Sequence, residues 1–109
     1  MKIKEAAEAS GVSAKMIRHY EAIGLVHPAR RENNYRDYSA ADVQTLVFIR
    51  SARQLDIPLK QVRDMLRLWR APSLDDAAER RRILDRLSQS EVAANFLRTR
   101  LAFVEARRV

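Results

Sequence analysis

The apolar positions of this chain change period several times, and each change marks an element. Ile3, Ala6 and Ala7 recur at helical spacing and predict a first helix over about residues 3–10. Met16, Ile17 and Tyr20 form a second stripe behind Ser13, a good N-cap, which predicts a helix over about 13–21. Gly24 closes that helix and Pro28 prevents its resumption. Ala7, Gly11 and Ile17 together have the spacing of a helix-turn-helix: a small residue for close approach, a glycine for the turn, and a branched residue to seal the miniature core. Across ARRENNYRDY, residues 29–38, the helical period is lost. Asn33 and Asn34 tolerate left-handed backbone, and Tyr35 and Tyr38 suit short strands. The expectation is a small β-hairpin, a wing, with Arg30 and Arg31 on one arm and Arg36 on the other.

Ser39-Ala-Ala-Asp42 reads as a capping box in which Asp replaces the usual Glu. It opens a helix to about Leu55 that turns Val43, Leu46, Val47, Phe48, Ile49 and Ala52 mostly inward. Asp56-Ile57-Pro58 interrupts the period, and Leu59, Val62, Met65, Leu66 and Trp69 resume it until Ala71-Pro72. Ser73-Leu-Asp-Asp76 caps a last helix with a different rhythm. There Ile83, Leu87, Ser90, Ala94, Leu97, Leu101 and Val104 alternate in steps of four and three, with Val92, Phe96 and Phe103 widening the stripe. From Asp76 onward this predicts one helix of about 34 residues and about 50 Å. No later element is expected to cover it, so the stripe predicts a coiled-coil dimer with a second copy, through Ile83, Leu87, Ala94, Leu97, Leu101 and Val104. The chain therefore reads as mainly α, with a winged helix-turn-helix domain over 1–72 and a dimerisation helix over 73–109.

Composition narrows the function. The 109 residues carry 21 Lys and Arg against 14 Asp and Glu, a formal charge of +7, which favours a polyanionic partner. The excess is spread along the sequence, so it belongs to a folded surface and not to a disordered arm. With no cysteine, disulfides, thiolate metal sites and cysteine nucleophiles are excluded. No apolar run suits a membrane span and MKIKEAAEAS is no signal peptide, so a cytoplasmic protein is expected.

Lys15, Arg18 and His19 point away from the buried stripe of the second helix, a face built to enter a DNA groove. Arg18 and Lys15 suit base edges, Arg by paired hydrogen bonds to guanine. Tyr35 and Arg36 suit phosphates on either side, and His19 suits the surface or a phosphate. His19 and His27 have no carboxylate arrangement of a metal site. Trp69 fits core or interface packing, and Arg80-Arg81-Arg82 a solvated face paired with Asp76, Glu79 and Asp85. Asp75, Asp76 and Glu79 complement a helix start. No catalytic set, phosphate loop or cofactor motif is present, so no enzyme is expected.

These motifs are also familiar as a set. KIKEAAEASGVSAKMIRHYEAIGLVHP, then ENNYRDYS, then FIRSARQLDIPLKQVRDML closely resemble the MerR family of bacterial transcription regulators, over residues 1–70 above all, and within it the copper-efflux branch of heavy-metal sensors. The resemblance implies a homodimer paired antiparallel through its long helix. It implies binding to pseudo-palindromic double-stranded promoter DNA whose spacer is distorted, with RNA polymerase on the same promoter, in the bacterial nucleoid. It places Lys15 and Arg18 on the recognition helix, Tyr20 near the DNA backbone, Tyr35 and Arg36 as the wing's pair, Arg53 before the next helix, and Lys60 at the start of the second wing's helix. His19 departs from the aromatic usual at its position. Metal-sensing relatives use cysteines at the end of the long helix and beyond it. Asp76 stands where mercury, lead or cadmium sensors carry one, so no thiolate sensing is expected, nor aldehyde sensing, nor a drug-binding domain. An effector-less or truncated regulator, acting as repressor, architectural protein or dominant-negative partner of a full-length sensor, is the alternative.

Overall fold

A computed structural model describes residues 1–70 and 77–107, with side-chain surroundings for 1–69 and 77–99. The elements in order are α1 (Ile3–Ser10), α2 (Ala14–Ala22), β1 (Ala29–Arg30), a 3-10 turn (Glu32–Asn34), β2 (Arg36–Asp37), α3 (Ala40–Gln54), α4 (Leu59–Arg70), α5 (Ala77–Ser88) and α6 (Glu91–Arg107). The chain forms two compact units, Met1–Ser51 and Ala52–Val109. Among the described residues no helix is long and apolar enough to cross a membrane.

In the first unit the ends of the elements follow from local chemistry. Gly11 takes φ 74° and returns its N–H to the Ala7 carbonyl at 2.9 Å, which ends α1. Ser13 Oγ then accepts the Met16 N–H at 3.2 Å, satisfying one of the orphan donors that open α2. At the other end Gly24 sits at φ 81°. Its N–H reaches the Glu21 carbonyl at 3.0 Å while the Leu25 N–H reaches that of Tyr20 at 2.8 Å, the paired bonds of a Schellman turn. Ala6, Val12, Ile17, Tyr20, Leu25, Val26, Tyr38, Leu46, Phe48 and Ile49 are buried, whereas Ile3 and Ala7, expected inside, are half-buried.

The hairpin is a minimal antiparallel pair, Ala29 opposite Asp37 and Arg30 opposite Arg36. Asn33 and Asn34 take φ 64° and 60° at its tip, the left-handed backbone that asparagine tolerates better than most residues. Its base is tied down from a distance. The Tyr38 N–H donates to the Met1 carbonyl at 2.7 Å, and Asp37 pairs with the Met1 ammonium at 2.6 Å and with Arg31 at 2.7 Å. Those two cations hold the Asp37 carboxyl below the usual carboxylate range. Ser39 and Asp42 form the expected capping box: each N–H donates to the other's side chain, at 2.8 and 3.1 Å.

In the second unit, the break after α3 is made by Asp56 at φ 58° and by Arg53, whose guanidinium donates to the Ile57 carbonyl at 2.8 Å. Val62, Met65, Leu66 and Leu68 of α4 are buried, as are Ile83 and Leu87 of α5 and Ala93, Phe96 and Leu97 of α6. Ion pairs join α4 to α5: Asp64 with Arg86 at 3.2 Å, and Glu79 with Arg67 at 2.9 Å, Glu79 also meeting Arg82 at 3.2 Å. The hydrogen bond from Arg82 and the charge of Arg67 hold the Glu79 carboxyl low.

Here the expected uninterrupted rod gives way to two helices. α5 stops at Ser88, and Ser90, which the heptad reading placed inside the stripe, instead caps α6 by accepting the Ala93 N–H on its Oγ at 3.3 Å. A serine hydroxyl competes with the helical ladder for backbone donors, so it starts a helix better than it continues one. The second correction concerns the cover. Ile83, Leu87 and Leu97 are already buried within their own chain, whereas Val92, expected to widen the stripe, is 49% exposed. Ala94 is half-buried. The stop at Ala71-Pro72, the cap at Ser73–Asp76 and the side chains of Leu101, Phe103 and Val104 lie outside the described residues.

Candidate nucleic-acid interface

Burial of Ile17 and Tyr20 fixes how α2 is turned, and so decides what it displays. Lys15, Arg18 and His19 are all exposed, as their positions off the stripe predicted. Met16 is the exception. It was expected inside with Ile17 and Tyr20, yet it is 37% exposed, because it lies on the flank of the stripe and not on its axis. Tyr20 is only 5% exposed. It supports the face from beneath, its ring centroid 5.8 Å from that of His19.

The wing contributes differently from what the sequence suggested. Arg36 was expected to be free for a phosphate. Its Nε instead donates to both oxygens of Glu21, at 2.6 and 2.7 Å, and this hydrogen bond raises the basicity of the guanidinium further. The pair joins β2 to α2 and so sets the angle between wing and helix. Arg31 is paired with Asp37, and Arg30 donates to the Asn34 carbonyl at 3.0 Å across the hairpin tip. Both arginines remain exposed, and Tyr35 is 48% exposed between them and Arg36. In the second unit Arg53 is exposed while its head group holds Ile57, and Lys60 is exposed in the first turn of α4.

Sequence reasoning missed Glu21 and Arg50. Glu21 had a signal, being the one acid in a helix of basic exposed residues. Arg50 had none: it reaches back from α3 to donate to the Ser10 carbonyl at 3.2 Å, beside the helix-turn-helix joint. A Cβ placed on Gly11 would lie 2.8 Å from that guanidinium. The head group can move aside, but the φ of 74° cannot be relieved so simply. Gly11→Ala is therefore expected to cost about 1–2 kcal/mol, read as a fall in Tm of several degrees; an unchanged Tm would show that the joint tolerates a side chain.

Exposed Lys, Arg and His donors over a close-packed helix pair, with a hairpin pinned beside them, suit phosphate oxygens and guanine edges. Among the described residues no three His, Cys, Asp or Glu side chains gather as a metal site requires. Fold and site together define a winged helix-turn-helix protein. Residues 1–69 match the family described as MerR HTH family regulatory protein, and residues 43–108 the description "MerR, DNA binding". The chain belongs to the MerR family.

Its relatives include heavy metal-dependent transcription regulator 2 of Rhizobium meliloti (strain 1021), 54% identical over 71 residues, which are 64% of this chain and 48% of that protein. The transcriptional regulator CueR of Escherichia coli O6:H1 (strain CFT073) is 35% identical over 92 residues, 84% of this chain and 68% of that protein. The match thus spans about half the length of the rhizobial regulator. Among solved structures, the regulator PbrR691 from Ralstonia metallidurans CH34 in complex with lead(II) superposes with a TM-score of 0.65 at 31% identity, over 99% of this chain and 78% of that one.

Proposed function

We propose that this protein is a sequence-specific regulator of transcription that binds promoter DNA as a homodimer, inserting α2 into the major groove and setting the wing against the backbone. The observation that carries this reading is the exposed Lys15, Arg18 and His19 face, held over buried Ile17 and Tyr20 and tied to the wing by Glu21 and Arg36. Lys15 and Arg18 meet base edges. Arg30, Arg31 and Tyr35 meet phosphates beside them, and Arg36 acts chiefly by fixing the wing. Arg53 and Lys60 offer further cations from the second unit.

Two copies related by a twofold axis would read a pseudo-palindrome. Ile83, Leu87 and Leu97 are buried in their own chain, so the dimer seam falls to α6 and the repeat through Ala94, Leu101 and Val104. Bending or untwisting the spacer costs several kcal/mol, of order 1–6 for a bent site, which phosphate contacts from both copies offset. RNA polymerase on the same promoter would use the distorted DNA. Such a target puts the protein in the cytoplasm, on the nucleoid, and the reading includes no catalytic step. Some relatives are named for heavy-metal dependence. These 109 residues hold no cysteine, so we assign them no thiolate capture of a soft metal.

Selection of bound duplexes from random oligonucleotides, repeated at two salt concentrations, tests the proposal. The expected result is an enriched inverted repeat, protected over about two helical turns, with log affinity falling linearly against log salt. A protein that sediments as a single chain, and prefers no duplex over heparin, would overturn it.

A further inference from the structure

Met16 is the exposed large apolar residue of α2. It sits in the first turn of α2, 37% exposed, with exposed Lys15 next to it, exposed His19 three residues on, and exposed Arg18 at the other border of the same exposed face. The stripe beside it is formed by buried Ile17 and Tyr20. It precedes His19 and Tyr20 by three and four residues, so it occupies the border between the cationic face and the core. Cα–Cβ bonds tilt toward the helix N-terminus, and the N-terminal residues of a recognition helix are those that meet base edges. An apolar side chain in that turn, set at the border of the cationic face, can meet an apolar feature of the groove. In the major groove that feature is the C5-methyl group of thymine.

We infer that Met16 is a specificity-determining residue that reads a thymine methyl group, alongside the polar reading by Lys15 and Arg18. The inference rests on the proposal that α2 enters the major groove. The flexible thioether fits the role, since methionine adapts its shape to an irregular apolar surface. No polar group need be desolvated, and the contact adds a preference for thymine over cytosine at one position in each half-site.

A chemical double-mutant cycle isolates this contact. Deoxyuridine replaces thymidine one position at a time in the selected duplex, removing only the methyl group. Binding is measured with the native chain and with Met16→Ala, Met16→Leu and Met16→Gln. The site is exposed and in a helix, so alanine will not impede folding, and circular dichroism checks this. One thymidine per half-site is expected whose replacement weakens the native protein about fourfold, the weight of one buried methyl-sized group. That sensitivity should vanish in Met16→Ala and Met16→Gln and persist in Met16→Leu. Equal sensitivity in all four proteins, or none in the native one, would overturn the inference while leaving groove binding intact. If none of the proteins prefers the selected duplex, the groove reading itself has failed and takes this one with it.

Discussion

Ile17→Ala is expected to cost the first unit about 2–5 kcal/mol, read as a lower midpoint of denaturation, and to lower DNA binding only as far as the folded fraction falls. Ile17 is fully buried in the middle of α2, where it closes the helix-turn-helix joint. Truncating it removes the transfer energy of three carbons and leaves a cavity that neighbouring side chains fill only in part. Small domains hold only about 5–15 kcal/mol in all, so the loss is a large share of the total. Affinity for selected and random duplexes should fall together, because the fraction folded changes and the reading face does not. Ile17→Val, expected to cost about 0.5–1.5 kcal/mol, keeps the series measurable should alanine unfold the chain. A midpoint of denaturation unmoved by alanine would mean that the position is not close-packed.

Arg18→Ala should behave in the opposite way, leaving stability untouched while costing about 1–3 kcal/mol on the selected duplex and relaxing the preference at one base pair. The reason lies in the pairing of charges around it. Arg36 is committed to Glu21 and Arg31 to Asp37, while Arg18 is exposed and in none of these pairs, with its guanidinium available for a guanine edge. Lys60, exposed and proposed as a further cation for the DNA, gives the control: if it meets phosphate, Lys60→Ala should weaken all duplexes alike and lower the salt slope by about 1. Equal losses on selected and random DNA for Arg18→Ala would remove its base-reading role.

Much of the first unit was readable along the chain because its signals are local. Ser13, Gly24 and the Ser39–Asp42 pair act within one helical turn, and the structure places their bonds where the capping rules put them. The hairpin was legible at its tip, since Asn33 and Asn34 answer to backbone sterics, but its strands are only Ala29–Arg30 and Arg36–Asp37, so Tyr35 and Tyr38, expected in strands, flank the second one. Met16 was misplaced because a helical period gives the axis of a stripe more sharply than its edge. The rod was misjudged for a related reason. Its seven-residue repeat weighed apolar spacing, while Ser90 was decided by a hydrogen bond that starts α6.

The sequence by itself determined that this chain is helical, that Lys15, Arg18 and His19 lie opposite a buried stripe, and that these 109 residues carry no cysteine. Each of these depends on residue type or on spacing within a few positions. Only the tertiary structure decided that Arg36 belongs to Glu21, that Arg50 braces the turn at Ser10, that Met1 anchors Asp37, and that Ile83 and Leu87 are covered from within. Those pairings join residues far apart in sequence, through the path of the folded chain. An apolar stripe states that a face must leave water; the hydrophobic effect has no direction, and so cannot say what will cover it.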